Sequence, residues 1–190
     1  MKPRVLIATL GVLAMASANA QLFDWEDQST GIVPSVTQNI GGVTATATGL
    51  AGDVSVFTLG GSPAWGSRSI TGLGGGGVRV DFSVLMSEVT MTYGDNAADD
   101  DGDVWFQAYN SSGVAISFNS ATYGTTNGPQ TITATASGIA WVTAQTTLNG
   151  STLAWDNFDA TPDPVPEPAT LAALGLGALA LIRKKKLKAS

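Results

Sequence analysis

Val78-Arg79-Val80-Asp81-Phe82-Ser83-Val84 alternates a bulky apolar side chain with a polar or charged one over seven residues. Successive side chains of an extended backbone point to opposite faces, so the run predicts a β-strand with one apolar and one wet face. The same period of two recurs at Val89, Met91 and Tyr93, at Val114, Ile116 and Phe118, and at Ile132, Ala134 and Ala136. Further short runs fit around residues 43–48, 54–59, 104–109, 139–144 and 152–158. Turn chemistry separates them: Gly41-Gly42, Gly60-Gly61-Ser62-Pro63, residues 74–77 (four glycines), Asn110-Ser111-Ser112-Gly113 and Asn127-Gly128-Pro129. Between residues 22 and 160 no segment keeps a helical period. Eight or nine short strands of this kind predict a single all-β sandwich.

Composition narrows the chemistry. The 190 residues include neither cysteine nor histidine. Disulfides, thiolate metal sites, a cysteine nucleophile and a Ser-His-Asp triad are therefore excluded. The net charge of -6 conceals a strong asymmetry, because seven of the nine basic residues lie at the two ends. Between residues 21 and 165, Arg68 and Arg79 stand against fourteen acids, a balance of -12. Such a surface repels phosphate backbones, which argues against nucleic acid as a partner.

The N-terminus has basic Lys2 and Arg4, an apolar run over residues 5–15, and small residues at Ala18 and Ala20. This is the pattern of a secretory signal peptide, residues 1–20, with signal peptidase cutting so that the mature chain begins at Gln21. At the other end Val165-Pro166-Glu167-Pro168 precedes an apolar run, 169–182, and the basic cluster 183–188. The prolines keep the boundary extended and accessible to a processing enzyme. Fourteen apolar residues make a helix of only about 21 Å, against a hydrocarbon core of about 30 Å. The following lysines should stay on the cytoplasmic side of the inner membrane.

Residues 165–188 resemble the PEP-CTERM sorting signal: the Pro166-Glu167-Pro168 motif, then the apolar transmembrane helix, then the basic tail. The resemblance implies recognition by an exosortase, an integral-membrane transpeptidase-like enzyme of Gram-negative bacteria that make extracellular polysaccharide. Processing near the motif and transfer to the cell surface would follow. The domain division expected is signal peptide 1–20, β-sandwich 21–160, and linker plus sorting signal 161–190.

Within the sandwich, carboxylates crowd into one turn, where Asp95, Asp99, Asp100, Asp101 and Asp103 fall within nine residues. Calcium accepts six to eight oxygens in flexible geometry and suits such a turn. The EF-hand pattern fails, because placing Gly102 at its glycine position puts Ala97 and Ala108 at the first and last ligand positions. A calcium loop outside that pattern and a solvated acidic turn both remain open. A second group pairs the ends of the domain: Asp24-Trp25-Glu26-Asp27 and Trp155-Asp156-Asn157-Phe158-Asp159. Terminal strands of a sandwich often lie side by side, which would bring Asp24 towards Asp156. On strand number, the acidic turn and Asp156-Asn157, the region resembles jelly-roll carbohydrate-binding-like domains. In these a structural Ca2+ bridges terminal strands, which adds Asp24 and Asp156 to the candidate ligands. Of the five tryptophans, Trp65 lies in a Gly/Ser/Pro-rich loop and is the best placed to stack on a sugar. Trp141 alternates with Ile139 and reads as core.

These features predict an exported cell-surface or matrix protein, non-catalytic, structural or binding exopolysaccharide in a biofilm. The alternative is a secreted glycan hydrolase or lyase using paired carboxylates. That chemistry needs two acids set across a cleft, whereas the acids here gather in turns.

Overall fold

The computed structural model describes residues 19–58, 68–74, 77–94, 102–123, 128–147 and 153–164. The signal peptide up to residue 18 and the sorting segment from Val165 onward, with its expected helix, lie outside the described residues. Every regular element described is a strand, eleven in all: β1 (Gln21–Phe23), β2 (Gly31–Val33), β3 (Ser35–Ile40), β4 (Val43–Gly49), β5 (Val54–Phe57), β6 (Ser69–Gly72), β7 (Val78–Gly94), β8 (Asp103–Tyr109), β9 (Ala115–Thr122), β10 (Gln130–Thr146) and β11 (Ala154–Pro162). No helix among the described residues is long and apolar enough to cross a membrane.

Two strands organise the sandwich. The runs at 78–84 and 89–93 fuse into β7, and those at 132–136 and 139–144 fuse into β10, each 17 residues long. Each takes part in two layers. The first half of β7 pairs with β4 and with the second half of β10, which in turn pairs with β8; β3 and β9 close the edges. The second half of β7 pairs with β11 and the first half of β10, and the layer continues through β6, β5 and β2, with β1 on β11. All pairings are antiparallel. Non-consecutive neighbours such as β6, β11 and β7 give the order a jelly-roll character.

The fusion depends on irregularities. The β7–β10 register shifts between Thr135 and Ile139 and again between Ile139 and Trp141. Gly138 sits there at φ +85°, a backbone conformation open to glycine and strained for a side chain. Alternation continues on both sides of the break, so Val78, Val80, Val142 and Ala144 of one layer meet Met86, Val89, Met91, Ile132, Ala134 and Ile139 of the other in one buried core. At the break itself alternation fails, and Ser83, Val84 and Leu85 are all exposed. The expectation that Val84 joins Val78, Val80 and Phe82 on the core face is thus corrected.

Candidate functional site: the outer aromatic face and the terminal acid cluster

In β8 the inward residues Val104, Phe106 and Ala108 are buried, which turns Trp105, Gln107 and Tyr109 outward. Register sets their neighbours. Tyr109 and Asp81 flank Trp141, Gln107 and Arg79 flank Thr143, and Trp105 faces Gln145. On the other side of β8, Phe118 opposes Gln107 and Ser120 opposes Trp105. One face therefore collects aromatic, amide and hydroxyl side chains from β7, β10, β8 and β9.

Within it, Tyr109 and Trp141 stack with centroids 3.6 Å apart and planes 11° from parallel. The Arg79 guanidinium lies 4.0 Å from the Trp141 ring centroid and is held by Asp81 at 2.5 Å. Tyr109 donates its hydroxyl to Gln107 Oε1 at 2.8 Å. This ladder across three adjacent strands fixes its own rings. Next to it Trp105 and Phe118 meet edge to face at 6.3 Å and remain 41 % and 57 % exposed. They offer aromatic surface that no other described element covers.

Two sequence expectations change here. Trp141 is not core: the register shift between Ile139 and Trp141 moves it to the outer face while Val142 goes inward. Phe118 does not share an inward face with Val114 and Ile116, because a bulge opposite Ala108 and Tyr109 reverses the parity. Only Ile116 packs against the core, and Val114 and Phe118 are both exposed. Trp65, the expected stacking residue, lies outside the described residues.

The terminal strands lie side by side, with Phe23 opposite Phe158. Asp156 is buried, at 1 % exposure. Its Oδ1 accepts from the Asn157 N–H at 2.7 Å and its Oδ2 from the Ser69 hydroxyl at 3.5 Å. Burial pushes its carboxyl up to about 8, helped by the negative charges of Glu26 and Asp24, while the two hydrogen bonds pull the other way. Burial prevails because a charge in a poorly solvated site is costlier than a neutral acid. Near it two residues enter the left-handed region: Asn157 at φ 46°, which asparagine tolerates, and Trp25 at φ 58°, which is strained for a bulky residue. The Trp25 indole N–H is buried with no partner among the described residues.

Asp24 Oδ1 accepts from Gln38 Nε2 at 2.9 Å and from the Glu26 N–H at 3.2 Å. Asp103, exposed at the start of β8, accepts from the Thr122 hydroxyl at 2.8 Å. No three acids among the described residues group closely enough to hold a metal ion. Asp24 and Asp156 each accept hydrogen bonds from protein donors, and burial favours the neutral form of Asp156. Asp95, Asp99 and Asp101 lie outside the described residues.

The chain leaves the sandwich under restraint. Ser87 donates its hydroxyl to the Thr161 carbonyl at 3.2 Å, and the Asp163 N–H donates to the Leu85 carbonyl at 2.8 Å. Asp163 Oδ2 accepts from the Gly138 N–H at 2.6 Å and from the Ser137 hydroxyl at 3.2 Å. The exit point is therefore tied to the break in β7 and β10. Immediately after it, residues 164–186 match the family model described as a PEP-CTERM protein-sorting motif. The chain carries a PEP-CTERM sorting signal. The PEP-CTERM motif implies an exosortase as processing partner, and with it export and a membrane-anchored stage.

No curated protein matches the chain significantly. Among solved structures it is similar to an arabinose-bound MgGH51 α-L-arabinofuranosidase, at 15 % identity and a TM-score of 0.46 over 78 % of this chain and 27 % of that one. It is also similar to a carbohydrate-binding module of the β-sandwich superfamily, at 16 % identity and a TM-score of 0.41 over 76 % of this chain and 63 % of that one. The chain spans less than two thirds of the length of either.

The outer-face candidates that sequence reading did not single out as a ligand surface are Trp105, Phe118, Tyr109, Trp141 and Arg79. A signal was present for β8: Trp105, Gln107 and Tyr109 occupy the alternate positions to Val104, Phe106 and Ala108. A wet face carrying two aromatics is unusual enough to mark a contact surface.

Proposed function

We propose that the mature chain is a non-catalytic surface protein, sorted by an exosortase, that binds exopolysaccharide through the outer face of β8, β9 and β10. The observation that carries this is the exposed Trp105–Phe118 pair beside a rigid Arg79–Trp141–Tyr109 ladder. A sugar ring presents C–H bonds on its faces and hydroxyls on its rim. An exposed indole takes the first while Gln107, Gln145, Thr143 and Ser120 suit the second. The ladder holds this surface fixed before binding, which lowers the ordering cost of association. Among the described carboxyls, Asp156 has an acid-like pKa but is 1 % exposed. A substrate has no access to it, which supports a binding role over glycan hydrolysis or cleavage by a lyase. The proposal keeps calcium at the acidic turn of residues 95–103 only, supported by its density of carboxylates. Export by the N-terminal signal, cleaved before Gln21, belongs to the same proposal, and β1 begins at that residue.

The test is retention of the exported chain on polysaccharide extracted from a producing bacterium, with and without Trp105→Ala and Phe118→Ala. Loss of retention in the variants supports the reading. Equal retention of variant and parent, or turnover of the polysaccharide by the parent, overturns it.

A further inference from the structure

A groove of about 700 Å³ opens where β7 and β10 part, lined by Gly41, Val43, Val84, Leu85, Pro162 and Pro164 among others. Val84 and Leu85 on its wall are 41 % and 46 % exposed. Chain length bounds its distance from the sorting motif. The two prolines lining it flank Asp163, whose carboxylate and N–H are tied to Gly138, Ser137 and Leu85. From Asp163 to Ala169, the first residue of the apolar run, the chain takes six steps. Fully extended at about 3.3–3.6 Å per residue, these span only about 20 Å.

An enzyme acting at residues 165–168 while the apolar run sits in the membrane thus works within that distance of the tied residue. It has no room to hold the sandwich away. Val84, Leu85, Pro162 and Pro164 line the groove beside that exit point and offer an apolar wall to a membrane enzyme working there.

We propose that this groove is a docking surface for the motif-processing membrane enzyme, so that the folded domain contributes to recognition beyond the motif. The inference rests on the exosortase reading of the tail. Leu85 and Asp163 are positioning residues in this scheme, since neither belongs to the bond that is cut.

The experiment follows processing of the full chain in exosortase-producing cells, as the ratio of processed to unprocessed protein over time. Four chains are compared: Leu85→Glu, Glu167→Ala, a chain with ten Gly/Ser residues inserted between Pro164 and Val165, and that insertion combined with Leu85→Glu. Leu85 is half-exposed, so its substitution should leave the fold intact, and resistance of the exported chain to added protease checks this; Val84→Lys serves as a second variant. Docking predicts that Leu85→Glu slows processing at least fivefold, that the insertion alone slows it to a similar degree, and that Leu85→Glu adds nothing in the inserted chain. The non-additivity marks a shared contact. Unchanged processing of Leu85→Glu and Val84→Lys overturns the docking inference, as does equal slowing by Leu85→Glu with and without the insertion. If Glu167→Ala is processed like the parent, the exosortase reading itself fails, and the two failures are thereby distinguished.

Discussion

The outer face of β8 and β9 and the interior between β1 and β11 both gather aromatic and polar side chains, but they leave them in opposite conditions. On the outer face Trp105 and Phe118 are half-exposed, and their neighbours Gln107, Thr143 and Gln145 stand in contact with solvent. Between the terminal strands Trp25, Trp155 and Phe158 are fully buried, and Asp24, Gln38, Ser69 and Asp156 are committed to one another or to the backbone. The first region has hydrogen-bonding and stacking capacity left over, which a ligand can take up. Apart from the Trp25 indole N–H, the second has spent its capacity on closing the ends of the chain. It keeps a strained backbone and a neutral carboxyl as the cost of that closure. Residue type alone does not separate the two regions; unused capacity does.

The largest effect that would break this contrast concerns Asp156. Its carboxyl is pushed from the ordinary 3.8 up to about 8 in the folded chain. Below about pH 4 both folded and unfolded forms hold the proton and there is no penalty. Between about pH 4 and 8 the unfolded chain releases it while the folded chain keeps it. Stability should therefore fall as pH rises across that window, by up to ~1.4 kcal/mol per unit, and level off above it. Asp156→Asn retains an acceptor for the Asn157 N–H without the charge. Thermal melts from pH 4 to 9 should show the variant losing this slope and exceeding the parent at pH 8. A parent stability that rises from pH 4 to 8 would show Asp156 ionised in the fold, and the region would regain its standing as a cation site. Melts with calcium and with chelator extend the test: a shift that survives Asp156→Asn and Asp24→Asn would place calcium at residues 95–103.

How much of this was legible depends on whether alternation ran unbroken. The strands β4, β5 and β8 follow sequence runs directly, since each keeps its period of two, whereas β11 opens on three successive buried residues and shifts register between Asp156 and Asp159. The short β1 and β2 span three residues each, too few for a period to register, and the four residues of β6 are all buried, so no alternation marks them. In β3 the inward set includes Gln38, a polar side chain buried to bond Asp24 and the Trp25 N–H, so its pattern looks wet on both faces. The outer aromatic face was obscured for a different reason. One extra residue at a bulge transfers every following side chain to the other face. Trp141 after Gly138 and Phe118 after Ile116 were therefore assigned to the core by the same reasoning that placed Phe82 correctly. The proximity of Asp24 to Asp156 followed from the pairing of terminal strands, but the neutral state of Asp156 follows from burial, which spacing does not reveal.

On the outer face the expected effects are smaller. Trp105→Ala removes the more extended of the two open rings, and binding to polysaccharide should weaken tenfold to a hundredfold, about 1.4–2.7 kcal/mol, with the melting temperature nearly unchanged because the ring is 41 % exposed. A large loss of stability with intact binding would make Trp105 structural and reverse the contrast.

The smallest effect tests whether the ladder is support or site. Arg79 stacks on Trp141 and pairs with Asp81, with both side chains about 40 % exposed. Solvent screens the ion pair, leaving it between ~0 and 1 kcal/mol, and a cation over an exposed indole adds ~0.5–1 kcal/mol. Arg79→Ala should thus destabilise by about 1 kcal/mol. Arg79→Lys should cost nearly as much, since an ammonium retains the charge but not the planar fork that lies on the ring and grips Asp81 together. Asp81→Asn, which spares the stack, should cost less than either. If the ladder only holds Trp141 and Tyr109 in place, Arg79→Lys leaves polysaccharide binding within about twofold of the parent. A tenfold loss without a matching loss of stability would instead put the guanidinium in contact with the ligand, and an acidic sugar would then be favoured over a neutral one, because Arg79 is one of only two basic residues between residues 21 and 165.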